Sequence, residues 1–235
     1  MATATIDPTE QAKFDALAQH WWNPAGPMAP LHAMNPVRGG WIRALAERRP
    51  GFAGWPCLSV LDVGCGAGLA AEFFARLGTV VTGIDAGAEV SAAARAHAEA
   101  EGLDTAYRQA APEELEGQFD LVLALEVVEH VADRAAFAAA LAARCRPGGL
   151  VVLSTINRTP RSFLLAKVGA EYVARLLPRG THDWRKFVRP AELAASLRGA
   201  GLTVVAEAGM AFDPLRGRWR TGDDVGVNYL MAATR

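Results

Sequence analysis

From Cys57 onward, apolar runs of strand length alternate with helical patterns, and this alternation constrains the fold more than any other feature of the chain. It is the pattern of repeated βαβ units, which build a mostly parallel sheet with helices on both faces. CLSVLDV reads as a buried strand, LAAEFFARL as a helix stopped by Gly78, TVVTGI as a second strand and AEVSAAARAHAEA as a helix ending near Gly102. TAYRQ gives a short third strand and FDLVLAL a fourth. RAAFAAALAARC is a helix closed by Pro147-Gly148-Gly149, and LVVLSTI is a fifth strand. PAELAASLRGAG is then a helix with Pro190 in its first turn, LTVVAEA a sixth strand and, past a polar loop, VNYLMAA a seventh. With 235 residues, 51% of them apolar, the chain is expected to form one α/β domain spanning residues 1–235 around one core.

Two segments fall outside this framework. Residues 1–45 carry Trp21, Trp22, Pro24, Pro27, Pro30 and Pro36, which predicts a helix near Pro8 to Gln19 followed by an irregular covering arm. Residues 157–189 interrupt the alternation after the fifth strand. Ligands in such sheets bind at the carboxyl ends of the strands, so an insertion there is placed to cover a substrate.

VLDVGCGAG ends the first strand with Gly64, Gly66 and Gly68 before entering a helix. Glycine permits the tight turn and a close backbone approach to a ligand. A dinucleotide fingerprint, G-x-G-x-x-G, would put its third glycine where Leu69 stands, which disfavours a nicotinamide oxidoreductase and favours a nucleoside without a pyrophosphate. Asp85 ends the second strand at the distance expected of a ribose-binding acid, whose carboxylate accepts hydrogen bonds from both hydroxyls. Alone, it would equally be an ordinary strand-end turn residue.

These motifs, with FDLVLALEVVEHV at the fourth strand and RPGGLVVLST at the fifth, resemble the class I methyltransferases of Rossmann-like fold, whose cofactor is S-adenosylmethionine. HWWNPAGPMAPLHAMNPVRGGWI, EVVEHV, STINRTPRSFLLAKVGAEYVARLLPRGTHDWRKFVRPAEL and the terminal VNYL are similar over nearly the whole chain to the ubiquinone-biosynthesis O-methyltransferases. The resemblance implies methylation of catechol hydroxyls on polyprenylated ubiquinone precursors, at the polyprenyl-hydroxyphenol and 3-demethylubiquinol steps. It also implies that Arg38 reaches the methionine carboxylate, Gly64 meets the amino-acid part, Gly66 is a further cofactor contact, Asp85 meets the ribose and Leu125 lies beside the sulfonium. Gln109 approaches adenine, although Ala110 and Ala111 stand where an acid would follow. Other enzymes of ubiquinone biosynthesis are the implied protein partners. An O-methyltransferase for another small phenol, and a cofactor-binding module without catalysis, are the alternative readings.

If the chain turns helical after Leu125, Glu126, Glu129 and His130 share one face and converge. Two carboxylates and an imidazole suit a hard divalent ion, and the resemblance implies magnesium at this motif. The competing role is general base, with His130 taking the phenolic proton. A third reading is a set of hydrogen-bonded residues at a strand–helix junction.

Lys plus Arg number 24 against 25 Asp plus Glu, so the molecule has no overall positive charge with which to hold nucleic acid. The excess is local: from Arg158 to Arg189 there are eight Lys or Arg and two acids, Glu171 and Asp183. Leu164, Val168, Tyr172 and Leu176 recur every four residues beside the charged Lys167, Glu171 and Arg175, the pattern of either a lid helix or one lying in an anionic membrane interface, with Arg179, Trp184, Arg185, Lys186 and Phe187 at the headgroups. Cys57, Cys65 and Cys145 fit neither a disulfide framework nor a zinc site, no apolar run reaches the roughly 18 residues of a membrane span, and the start of the chain resembles no targeting peptide. The expected location is the cytoplasm, with peripheral contact at the inner face of the membrane.

Overall fold

The computed structural model describes residues 8–164 and 184–235. Among them, eight strands form one sheet in the order β3-β2-β1-β4-β5-β8-β6-β7. These are β1 (Ser59–Val63), β2 (Val80–Asp85), β3 (Thr105–Gln109), β4 (Phe119–Leu125), β5 (Cys145–Ile156), β6 (Thr203–Asp213), β7 (Arg218–Gly222) and β8 (Asn228–Thr234). The first five pair in parallel, so all their carboxyl ends emerge on one edge. β8 runs antiparallel between β5 and β6, and β7 folds back on β6.

The helices are α1 (Pro8–Asp15), α2 (Ala29–Glu47), α3 (Leu69–Ala75), α4 (Ala88–Ala100), α5 (Arg134–Arg144), the single turn α6 (Pro160–Ser162) and α7 (Pro190–Gly199). Strand alternation sends Val60, Leu121, Leu123, Val152 and Leu230 toward α2, α3 and α4, where they meet Ile42, Phe74 and Ala94. Leu61, Val122, Val151, Leu153 and Met231 point the other way, onto Phe137 and Leu141 of α5 and Leu193 and Leu197 of α7. Both sheet faces are covered, which is why the central strands read as continuous apolar runs.

The structure departs from the sequence expectation at three places. The eighth strand, β7, lies in what reads as a polar loop: Trp219 and Thr221 are half-buried against β6 while Arg218 and Arg220 stay exposed. An edge strand with arginines on its open side carries too little apolar signal to announce itself. The covering arm is irregular only over a short stretch, because residues 29–47 form the long helix α2 despite two prolines. Pro30 sits in the first turn, where no amide hydrogen is needed, and Pro36 lies inside. Burial of Met34, Ile42 and Ala46 against α3 and the sheet offsets that interior proline. Gly39 also has a packing reason, since a Cβ there would strike the Phe73 ring. Third, β5 begins at Cys145, so the Pro147-Gly148-Gly149 run lies within the strand, with a register irregularity opposite Phe119 and Leu121.

Most of the expected basic helix of 158–189, including Lys167, Val168, Glu171, Tyr172, Arg175, Leu176 and Arg179, lies outside the described residues. At its margins Phe163 and Leu164 are exposed, and Trp184 stands edge-on to Phe163 and donates its indole hydrogen to the Thr159 carbonyl at 3.1 Å. Among the described residues no helix is long and apolar enough to cross a membrane.

Candidate functional site

The carboxyl ends of the central strands open into a cavity of about 820 Å³. Arg38, Asp62, Gly64, Gly66 and Asp85 line it on the β1–β2 side. Leu125, Glu126, Glu129 and His130 line it at the end of β4, and Ile156, Asn228, Met210 and Phe212 on the β5–β8–β6 side.

At the β1–β2 end, Arg38 is only 3% exposed and Asp62 only 2%, yet the Arg38 Nη1 and the Asp62 Oδ2 are each buried without a partner. An orphaned donor and an orphaned acceptor at one end of a cavity are costly to retain unless something arrives to satisfy them. Burial lowers the Arg38 pKa against the opposing pull of Glu126 and Asp62. Asp62 is pushed up to about 7, chiefly by burial, with Arg38 opposing and the Asp85 charge adding. A cation flanked by carboxylates matches an α-amino acid group, with Arg38 for its carboxylate and Asp62 for its ammonium. The methionine part of S-adenosylmethionine fits this donor set.

Asp85 ties the turn together. Its Oδ2 accepts the Gly66 amide hydrogen and its Oδ1 that of Gly87, both at 2.9 Å. Burial raises its pKa and these two hydrogen bonds oppose the rise. Each carboxylate oxygen keeps a second lone pair for a ribose hydroxyl. Gly64 and Gly66 both have positive φ. The space that a Cβ would need at Gly64 is taken by Val127, and at Gly66 by Trp21. The glycines therefore admit the protein's own side chains as well as a ligand. Trp21 is a buried cavity residue whose indole nitrogen has no partner, and its carbonyl accepts from His32 Nε2 at 2.8 Å. Trp22 donates to the Ala67 carbonyl at 2.9 Å and stacks on His97 with ring centroids 3.4 Å apart, while His97 Nδ1 meets the buried Glu72 carboxylate at 2.7 Å.

After Leu125 the chain turns without forming a helix, so the expected helical face of Glu126, Glu129 and His130 is not formed. Glu126 has a φ of 59°, the one positive value on a non-glycine residue among those described. That conformation is uncommon for a side chain of this size and recurs at functional sites. It is held by Ser154, whose carbonyl accepts the Glu126 amide hydrogen at 3.0 Å and whose hydroxyl donates to Glu126 Oε1 at 2.6 Å. The Thr155 hydroxyl donates to Glu129 Oε2 at 2.7 Å. Burial and the neighbouring Glu126 charge push Glu129 up to about 8, with the Thr155 bond opposing. Among the described residues no three His, Cys, Asp or Glu side chains are grouped to hold a metal ion. Glu126 Oε1 and Glu129 Oε2 each accept a hydroxyl hydrogen from β5. His130 lines the cavity, with Phe14 of α1 edge-on to its ring.

Arg38, Gly64, Gly66, Asp85, Leu125, Glu126, Glu129 and His130 thus meet at one cavity. Gln109 does not line it: its Nε2 donates to the Ala86 carbonyl at 2.9 Å, and its neighbours Ala110, Ala111 and Pro112 take the cavity wall instead. Asp62, Trp21 and Asn228 are cavity residues that sequence reasoning passed over. Asp62 carried a signal, an acid inside an otherwise apolar strand; Trp21 and Asn228 carried none beyond their motifs.

Residues 37–207 match the family model described as a methyltransferase domain. The ubiquinone biosynthesis O-methyltransferase of Azorhizobium caulinodans is 49% identical to this chain, the alignment covering 98% of this chain and 94% of that protein. That of Methylocella silvestris is 47% identical, with 99% and 96% covered. Among solved structures, the magnesium protoporphyrin IX methyltransferase of Synechocystis PCC 6803 with bound SAH superposes with a TM-score of 0.66 at 19% identity, covering 95% of this chain and 94% of that one. A SAM-dependent methyltransferase from Aquifex aeolicus gives 0.62 at 14% identity, covering 97% and 98%. At these identities the structural likeness is one of fold.

Proposed function

The chain belongs to the ubiquinone-biosynthesis O-methyltransferases, S-adenosylmethionine-dependent enzymes of the methyltransferase-domain family, and on that premise we propose how its cavity methylates a polyprenylated phenol. The observation that carries the reading is the continuity of one cavity. It joins the orphaned Arg38 and Asp62 to a wall rich in Met34, Leu31, Met210, Phe212 and Trp219, with His130 also on its lining.

Bound S-adenosylmethionine supplies an electrophilic methyl group on a sulfonium. Arg38 would hold its carboxylate, Asp62 its ammonium and Asp85 its ribose hydroxyls, with Leu125 beside the reacting end. The apolar wall takes the ring and the first prenyl units and excludes water. As the phenol oxygen takes the methyl group, His130 would accept the phenolic proton. A free phenol has a pKa near 10, so an acceptor for this proton enlarges the reactive fraction at neutral pH. In-line positioning supplies much of the remaining rate. Glu129, whose pKa lies near 8, is mostly protonated at neutral pH and serves to position the turn.

The same proposal extends to the membrane and to partners. The basic segment 158–189, bordered by the exposed Phe163 and Leu164, is read as the contact with anionic lipid at the inner face of the membrane, where a polyprenyl substrate resides. Other enzymes of ubiquinone biosynthesis are the proposed protein partners.

The reading is tested by incubating the purified chain with labelled S-adenosylmethionine and short- and long-prenyl catechols, with vesicle flotation run in parallel. Label on a ring oxygen, with turnover rising with prenyl length, is the expected result. Tight S-adenosylhomocysteine binding without transfer to any phenol would leave a cofactor-binding module instead. Equal flotation on neutral and anionic vesicles would remove the membrane part alone.

A further inference from the structure

We infer that Asn228 reads the substrate's second ring oxygen, the one beside the oxygen that receives the methyl group; the assignment rests on the functional reading above. Asn228 opens β8, in register with Ile156 of β5 on one side and Met210 of β6 on the other, and all three line the cavity. It is 8% exposed and lines the cavity, and its carboxamide makes no hydrogen bond to another described residue.

The other buried asparagines behave differently. Asn35 Nδ2 donates to the Leu69 carbonyl at 2.7 Å and Asn157 Nδ2 to the Val225 carbonyl at 2.9 Å, so each ties one stretch of backbone to another. Asn228 ties nothing. Strand alternation puts Tyr229 on the opposite sheet face, where its hydroxyl donates to the Val188 carbonyl at 3.0 Å, and this fixes the direction in which Asn228 faces. An amide that faces a cavity with its donor and acceptor uncommitted is available to a ligand's polar atoms.

The position selects the ligand atom. Ser154, which grips Glu126, pairs with Leu125 on one side and Leu230 on the other, so β5 separates the Glu126–His130 turn from β8. A ring lying over β5 would therefore present one oxygen to His130 and an adjacent one to Asn228. The amide offers a donor and an acceptor in one plane. It can accept from a neighbouring hydroxyl or donate to a neighbouring methoxy oxygen, whereas a carboxylate can only accept.

The test compares wild type with Asn228→Leu, Asn228→Ala and Asn228→Asp on three short prenylated substrates: a catechol, its monomethyl ether and the matched monophenol. Because Asn228 supports no internal bond, the variants are expected to melt like wild type and to bind S-adenosylhomocysteine equally well. Wild type should prefer the catechol over the monophenol. Asn228→Leu should abolish that preference through at least a tenfold rise in KM for the catechol, with the monophenol unchanged; Asn228→Ala provides the same comparison if the larger side chain disturbs folding. Asn228→Asp should keep the catechol and lose the ether. A wild-type ratio of catechol to monophenol turnover in both neutral variants overturns the assignment of Asn228 alone. A wild type that binds the cofactor product but methylates none of the three phenols overturns the functional reading, and the assignment with it.

Discussion

The ring of Phe14 meets the imidazole of His130 edge-on, with centroids 5.2 Å apart and planes at 87°. Phe14 belongs to α1, and its neighbour Asp15 caps the start of α4 by accepting the amide hydrogens of Glu89 and Val90 at 3.1 and 3.3 Å. One turn of α1 thus touches both the imidazole proposed as base and the helix that follows Asp85, the acid proposed to bind the ribose. Replacing Phe14 with Ala should lower kcat on the order of tenfold by freeing the imidazole, with a much smaller change in cofactor affinity. Steady-state kinetics beside calorimetry separates the two effects. An unchanged kcat would detach α1 from the reaction.

Asp85 ties the turn together and is the residue proposed to meet the ribose. Asp85→Ala should weaken S-adenosylmethionine binding by roughly 1 to 3 kcal/mol through lost hydrogen bonds to a charged acceptor. It should also lower the melting temperature, because the Gly66 and Gly87 amide hydrogens lose their acceptor. Titration calorimetry and a thermal melt of the same sample report both. Wild-type affinity would take Asp85 out of the site.

A chelator and a His130 variant distinguish a base from a metal at the turn of Glu126, Glu129 and His130. Methyl transfer should persist in excess chelator and fall by roughly 10² to 10⁴ in His130→Ala, the range for loss of a positioned general base. Cofactor binding should be unaffected by either treatment. Loss of activity in chelator, restored by magnesium, would reverse the assignment.

Glu129 makes stability depend on pH. Its folded pKa of about 8 lies above its ordinary 4.5, so the folded state keeps a proton that the unfolded chain gives up. The stability tied to that proton is fully present below about pH 4.5 and is lost as pH rises through 8. Glu129→Gln keeps an acceptor for the Thr155 hydroxyl and carries no charge. Its stability relative to wild type should therefore climb with pH across this window. Denaturant unfolding at pH 5 and pH 8.5 measures the difference. A pH-independent gap would mean that Glu129 is ionised in the fold.

The central sheet was legible because burial on both faces writes itself into sequence as unbroken apolar runs such as FDLVLAL. The glycine turn and Asp85 were legible because strand ends with special backbone demands admit few residue types. What escaped depended on tertiary packing. α2 carries Pro36, Gly39 and Gly40 and would be a poor helix in isolation; its partners across α3 and the sheet are distant in the chain. The turn after Leu125 has helical spacing, but Ser154 holds Glu126 in a left-handed conformation that no local pattern encodes. Asp62 lay in view inside LDVG and was read as strand core. Gln109 was assigned by resemblance to the adenine pocket, while its amide is engaged by the Ala86 carbonyl.

β8 follows every other strand in the chain, yet it lies between β5 and β6 near the middle of the sheet. As the polypeptide emerges from the ribosome, β1 to β5 can pair as they appear, but β5 and β6 must wait with open edges until β8 arrives to join them. Unpaired edges of this kind invite pairing with another chain. The same late strand brings Asn228 to the cavity and Tyr229 to the opposite face. The wall proposed to receive the substrate is therefore completed only when β8 has joined β5 to β6.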